Sequence, residues 1–224
     1  MSWERLKDPK LQERLKIRAR ILALIREFFV KEGFLEVETP ILVPAAGQEP
    51  HLNPMKVHFQ TSHSERAQRA KNPVRKSTGS FAGAQDDGHI DAYLITSPEY
   101  AHKKLLAAGF ERIFEITRAF RGGEKWGGLH NPEFTILEWY RSHADYLDIM
   151  KDVETMVFYV VDKLSHVPRD KSQIPNPKSQ TNHKSKIPNP KPAIVYQGRT
   201  IDLSSPWQRL TMAQAWKLYV PGFN

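Results

Sequence analysis

The chain has 224 residues, 40% of them hydrophobic, enough to fill one core of ordinary size but not two large ones. It contains no cysteine, which excludes disulfides and thiolate metal sites and agrees with a reducing compartment. The formal net charge is +8, yet no apolar run approaches the roughly 20 residues that a membrane helix needs and the N-terminus is too polar for a signal peptide, so a cytoplasmic protein without membrane contact is expected.

In chain order, Asp8-Pro9 can cap a first helix whose apolar stripe runs Leu15, Leu22, Ile25 and Phe29 and which ends at Gly33. Residues 61–90 are polar and rich in small side chains with neither helical nor strand period, and predict a disordered insertion. Ser97 and Pro98 read as the N-cap and first residue of a second helix that stops before Gly109. Arg112–Arg121 and Glu133–Tyr140 read as strands, joined across Gly122, Gly123, Gly127 and Gly128 as an antiparallel hairpin with a long loop. A long amphipathic helix is expected from about Asp145 to Leu164, with Met150, Val153, Val157, Val160 and Leu164 inward. Residues 166–195 then form a Pro-, Lys- and Asn-rich stretch containing a short repeat, KSQIPNPK and KSKIPNPK, which reads as a disordered linker or insertion. Between residues 168 and 192, Arg169, Lys171, Lys178, Lys184, Lys186 and Lys191 face only Asp170, so most of the net charge sits there and a nucleic-acid surface is not implied elsewhere. A basic tether for RNA or an acidic partner is the alternative to a solvated insertion.

The informative stretch is FRGGEKWGGLHNPEFTILEWY, residues 120–140. Period-two alternation puts Phe134, Ile136, Glu138 and Tyr140 on one face of the second strand, with Arg121 at the neck of the loop. A guanidinium fork suits a phosphate that gains charge during displacement. A phenyl ring suits a purine, and a carboxylate beside a phenol suits an ammonium group. Taken alone, the same residues also fit one packed aromatic, two surface polar groups and a solvated edge arginine. A glycine-rich loop without a fixed pattern is weak evidence for phosphate. Glu99 falls in the first turn of its helix, where a carboxylate is favourable whatever else it does.

This segment resembles motif 2 of the class II aminoacyl-tRNA synthetases in their lysine branch, FRxxE, a loop, HNPEFT and Glu-x-Tyr. Gly33-Phe34-Leu35-Glu36-Val37-Glu38-Thr39-Pro40 resembles motif 1 of the same class, and LITSPEYAHKKLLAAGFERIFEITRAFR is similar to that branch between the two motifs. Thr96-Ser97-Pro98-Glu99 and Leu137-Glu138-Trp139-Tyr140-Arg141 look most like the elongation factor P lysine ligases, shortened paralogues of lysyl-tRNA synthetase. The likeness covers most of residues 3–60 and 92–165, and weakly 206–221.

The resemblance implies an α+β fold, a class II antiparallel sheet flanked by helices, with residues 1–165 as catalytic core and 196–224 as its partial continuation. It implies that Arg121 contacts the α-phosphate of ATP as the catalytic cation, that Glu124 and Asn131 lie near adenine, that His130 faces the outer phosphates and that Phe134 stacks on the base. Ser97-Pro98-Glu99 would bind the amino acid, Ser97 and Glu99 near its α-amino group, while Glu138 and Tyr140 would take the side-chain ammonium. Arg121 and Asn131 are ten residues apart, one more than the ligase pattern, and Glu124 stands three after Arg121, a spacing that some relatives share. The implied reaction is carboxylate attack on the α-phosphorus of ATP, with Mg2+ on the phosphates, giving an aminoacyl adenylate of lysine or β-lysine. The acyl group would pass to a lysine of elongation factor P or, alternatively, to the 3′ end of a tRNA. A homodimer through motif 1 is implied as well. After Tyr140 the only glycines are Gly198 and Gly222, so the family's third motif is not recognisable, and the expectation is a fold incomplete at its C-terminus. Little or no adenylation by the isolated chain is therefore expected, and an inactive remnant that only binds nucleotide is a further alternative.

Overall fold

The computed structural model describes residues 3–60, 89–125, 127, 129–165, 192–220 and 222. Most of the two predicted insertions, 61–88 and 166–191, lies outside the described residues. The chain divides into two units, Met1–Lys31 with Ala144–Asn224, and Glu32–His143.

In the first unit, helix α1 spans Pro9–Lys31, and Asp8 accepts a hydrogen bond from the Lys10 amide at 2.9 Å, the expected N-terminal cap. The predicted stripe is only partly right. Leu15 is 50% exposed, Leu22 and Ile25 are half-buried, and Leu24, Phe28 and Phe29 form the buried part. Helix α3, Tyr146–Ser165, packs on α1: the Tyr159 hydroxyl donates to Glu27 at 2.6 Å and its ring lies 5.8 Å from Phe28. On α3 the predicted Val160 is buried and the other stripe residues are half-buried, but Asp152 and Glu154 are buried too. Glu154 is inside because its carboxylate accepts from Ser205 Oγ at 2.5 Å, Trp207 N at 3.0 Å and Arg209 at 2.6 Å. A buried carboxylate is tolerated when donors fill its lone pairs. Strands β7 (Ala193–Tyr196) and β8 (Arg199–Asp202) form a hairpin, and Thr211 with Gln214 makes a capping box for α4, Met212–Tyr219.

The second unit carries the site. Strands β5 (Arg112–Phe120) and β6 (Glu133–Arg141) pair antiparallel over their whole length, from Arg112 opposite Arg141 to Phe120 opposite Glu133. This is the predicted hairpin, one residue shorter on β5 and one longer on β6. β1 (Leu35–Glu36) adds to the other edge of β5 in parallel, so the sheet is mixed rather than purely antiparallel. A second sheet has the order β2-β4-β3, from Leu42–Val43, His89–Leu94 and Met55–Gln60. Helix α2 begins at Glu99, one residue later than predicted, and runs to Ala107. Pro98 holds the cap position and offers no side-chain cap, but Ser97 Oγ accepts from the Glu99 amide at 3.1 Å. Phe34, Ala92, Ile95, Ile113, Phe114 and Ala119 are the buried apolar residues of this unit.

Candidate functional site

Strand β6 organises the site because its alternation puts three of the candidate side chains on one face and its full-length pairing with β5 fixes what lies opposite them. Phe134, Ile136, Glu138 and Tyr140 are all half-buried and, in register, oppose Ala119, Thr117, Glu115 and Ile113. Phe134 and Glu138 are four residues apart, about 13 Å along an extended strand.

At the loop end, the Arg121 amide donates to Pro132 O at 2.9 Å, and the Gly122 amide to Asn53 O at 2.6 Å, which closes the neck of the hairpin. The glycines suit this neck: a Cβ on Gly122 would lie 3.1 Å from Asn53 O, a tight approach, and Gly123 has φ 83°, which disfavours any side chain. A pocket of about 240 Å³ opens above this neck, lined by Arg121, Glu124, Leu129, His130, Asn131 and Phe134. All five residues predicted for ATP therefore share one cavity. The guanidinium carbon of Arg121 lies 5.0 Å over the Phe134 ring, and Arg121 Nε is buried without a hydrogen-bond partner among the described residues. A buried, unanswered cationic donor beside an aromatic face suits an anion attached to a flat ring. Asn131 Oδ1 accepts from the Gly127 amide at 3.3 Å and so braces the loop.

At the other end, three predicted residues form a chain: Ser97 Oγ donates to Glu138 Oε1 at 2.5 Å, and Tyr140 OH donates to Glu138 Oε2 at 3.2 Å. Burial pushes the Tyr140 phenol well above its ordinary range, and the charges of Glu138 and Glu99 and its bond to Glu138 push it further. The phenol is thus a neutral donor, and Glu138 keeps acceptor capacity for a cation. Pro98, the next residue after Ser97, is buried. Glu99 stands apart in its contacts: its side chain is 41% exposed and pairs with Lys103 at 2.5 Å, one helical turn on. An amine bound through Glu99 would share its carboxylate with Lys103, which occupies one of the two oxygens.

Sequence reasoning missed the layer behind this end. Glu115, 2% exposed, stands directly across from Glu138 in the β5–β6 register. Like charges in that relation are destabilising unless one is answered. Glu115 is answered by the Thr39 amide at 3.1 Å, Thr39 Oγ1 at 2.9 Å and His102 Nε2 at 2.8 Å. Burial raises its carboxyl, but the bonds from His102 and Thr39 outweigh that and leave it below the ordinary 4.5. The available signal was a lone carboxylate between Phe114 and Ile116 in an otherwise apolar run of β5.

The sign of that shift gives a stability prediction. A depressed carboxyl contributes stability above its ordinary pKa and loses it as pH falls through the folded value. Glu115→Gln should cost on the order of 3 kcal/mol at pH 7. In urea melts, the gap between wild type and variant should be full at pH 6–7 and shrink as pH falls below about 4.5. A gap independent of pH would show that the ionised carboxylate contributes nothing.

The mixed sheet and its loop-necked hairpin, flanked by helices, are those of a class II synthetase-type domain. A family model for class II tRNA synthetases (D, K and N) matches residues 2–221, and the chain belongs to that family. It is 32% identical over 233 aligned residues to a lysine–tRNA ligase of Clostridium botulinum, covering 97% of this chain and 36% of that protein. It is 41% identical over 145 residues to elongation factor P–(R)-β-lysine ligases of Salmonella typhi and Salmonella enteritidis, covering 65% of this chain and 38% of theirs. The chain thus spans little more than a third of the length of these relatives. Among the described residues no helix is long and apolar enough to cross a membrane.

Proposed function

We propose that the chain serves an ATP-dependent ligase that activates lysine or β-lysine as an aminoacyl adenylate. The observation that carries this reading is the single face of β6 bearing Phe134 beside Arg121 at one end and the hydrogen-bonded Glu138–Tyr140 pair at the other. Adenine takes the Phe134 ring, and the α-phosphate takes the Arg121 guanidinium, whose buried Nε has no other partner among the described residues. Glu124 and Asn131 border the base and His130 the outer phosphates. An arriving phosphate draws Arg121 off the ring and frees that face for the purine. The ammonium lies against Glu138 and Tyr140, while Ser97 and Glu99 face the α-amino group above Pro98.

Chemistry then needs position and charge rather than a protein nucleophile. The substrate carboxylate attacks the α-phosphorus, the bond to the bridging oxygen breaks, and pyrophosphate leaves. Among the described residues no group of three or more His, Asp or Glu side chains is placed to hold a metal. Mg2+ is expected to enter on the triphosphate, whose oxygens it prefers, and to neutralise their charge.

For the acceptor we favour a lysine side chain of elongation factor P, because the higher identity, 41%, is to ligases named for that protein and includes the β6 segment. A tRNA acceptor is the second reading, favoured by the match to a lysine–tRNA ligase along 97% of the chain. A cytoplasmic homodimer formed through residues 33–40 and α1 completes the proposal.

Calorimetric titration with ATP and with lysine tests the binding reading. Both should bind, and Phe134→Ala should weaken ATP about 5- to 150-fold, the effect of losing one base–aromatic stack, while leaving lysine unchanged. Equal weakening of both ligands would contradict the assignment. Titrating elongation factor P and tRNA against the chain separates the acceptors, since the favoured reading expects the protein alone to bind.

A further inference from the structure

His102 is fully buried on α2, yet it was no part of the predicted site and is not among the six residues that line the nucleotide pocket. Its surroundings are defined on both sides. Nε2 donates to Glu115 at 2.8 Å, and the ring meets the Tyr140 ring perpendicularly with centroids 5.2 Å apart. Nδ1 is buried with no hydrogen-bond partner among the described residues. An apolar side chain would fill the same space without leaving that atom unanswered, so packing alone does not account for a histidine here.

We propose that His102 is a positioning residue for lysine recognition: clamped by Glu115, its ring fixes the Tyr140 ring and thereby aims the phenol at Glu138. The inference rests on the reading that Glu138 and Tyr140 take the ammonium. Its logic is geometric. Glu115 is held by two bonds from Thr39 and cannot easily turn, so it is a rigid anchor. An imidazole hydrogen-bonded to that anchor has a set orientation. A perpendicular aromatic contact then restricts the neighbouring ring, and a phenol restricted on its strand presents its hydroxyl in one direction. The chain of contacts runs Thr39, Glu115, His102, Tyr140, Glu138, Ser97, and only its last members face the substrate.

The test uses His102→Gln in the full chain. Glutamine retains a donor for Glu115 but removes the ring that meets Tyr140. Lysine affinity, read by calorimetry, should fall about twofold to tenfold, the range of one aromatic pair, while ATP affinity and thermal midpoint stay near wild type. In a Tyr140→Leu background the same change should move lysine affinity no further, because the path runs through Tyr140. Unchanged lysine binding in a folded His102→Gln protein would overturn the inference, and so would equal weakening of lysine and ATP. Persistence of the effect in the Tyr140→Leu background would overturn it as well. A wild-type chain that binds neither lysine nor β-lysine would overturn the functional reading, and this inference with it.

Discussion

Glu138→Gln is expected to weaken lysine binding on the order of 10²-fold while leaving ATP affinity within about twofold. The substitution keeps the shape of the side chain and one oxygen acceptor. It removes the formal charge proposed to face the ammonium, and its amide nitrogen replaces an oxygen that accepts from Ser97 or Tyr140. One of those two hydroxyls would then meet a donor instead of an acceptor and must rotate away. Truncating one side of a hydrogen-bonded charge pair at a binding site costs about 2–5 kcal/mol, much of it from leaving the other charge unpaired. Glu115 will not substitute, although it lies directly opposite, because His102 and Thr39 already occupy its oxygens. Calorimetry with lysine checks the prediction, with norleucine as a control. Norleucine lacks the side-chain ammonium and should bind wild type and variant equally weakly.

Arg121→Ala should weaken ATP about 10- to 100-fold, the loss of one or two hydrogen bonds to a charged group. Where adenylation is measured, the rate should fall about 10²- to 10³-fold, as for removal of a donor aimed at developing charge. Arg121→Lys should recover little of this, since an ammonium supplies charge but not the planar fork. The substitution also uncovers the Phe134 ring, now 5.0 Å beneath the guanidinium. Adenosine, which has no phosphate, should therefore bind the alanine variant at least as well as wild type. A parallel loss of adenosine and ATP would mean that Arg121 acts on the shape of the loop rather than on phosphate.

These two positions were legible because alternation on a single strand is a local property. Once Glu133–Arg141 is a strand, Phe134, Glu138 and Tyr140 must share a face, and the glycines beside Arg121 mark the turn. The motif resemblance then selected one function from the several that such a face permits. Ser97 was expected near the α-amino group of the substrate, as the resemblance implied; its hydrogen bond to Glu138, 41 residues away, was not foreseen from periodicity or from resemblance. What stayed hidden depended on contacts between elements. Register with β5 set Glu115 against Glu138, and the approach of α2 and the Thr39 segment supplied its donors; neither is written in a local pattern. The stripe of α1 failed for a related reason, since how far a helix is covered depends on what packs upon it, and Leu15 lies on the uncovered half. On α3, helical period identified Val160 but not Glu154, which is buried only because Ser205, Trp207 and Arg209 reach it. The parallel edge strand β1 was likewise invisible, because strand direction follows from the course of the whole intervening chain.

The most direct measurement is a crystal structure of the chain with a stable lysyl-adenylate analogue in which a sulfamate replaces the phosphate ester. The account predicts adenine on the Phe134 ring, the sulfamate within hydrogen-bond reach of Arg121, and the lysine ammonium between Glu138 and Tyr140. An analogue bound with its ammonium away from Glu138, or its base outside the Arg121–Phe134 pocket, would contradict it.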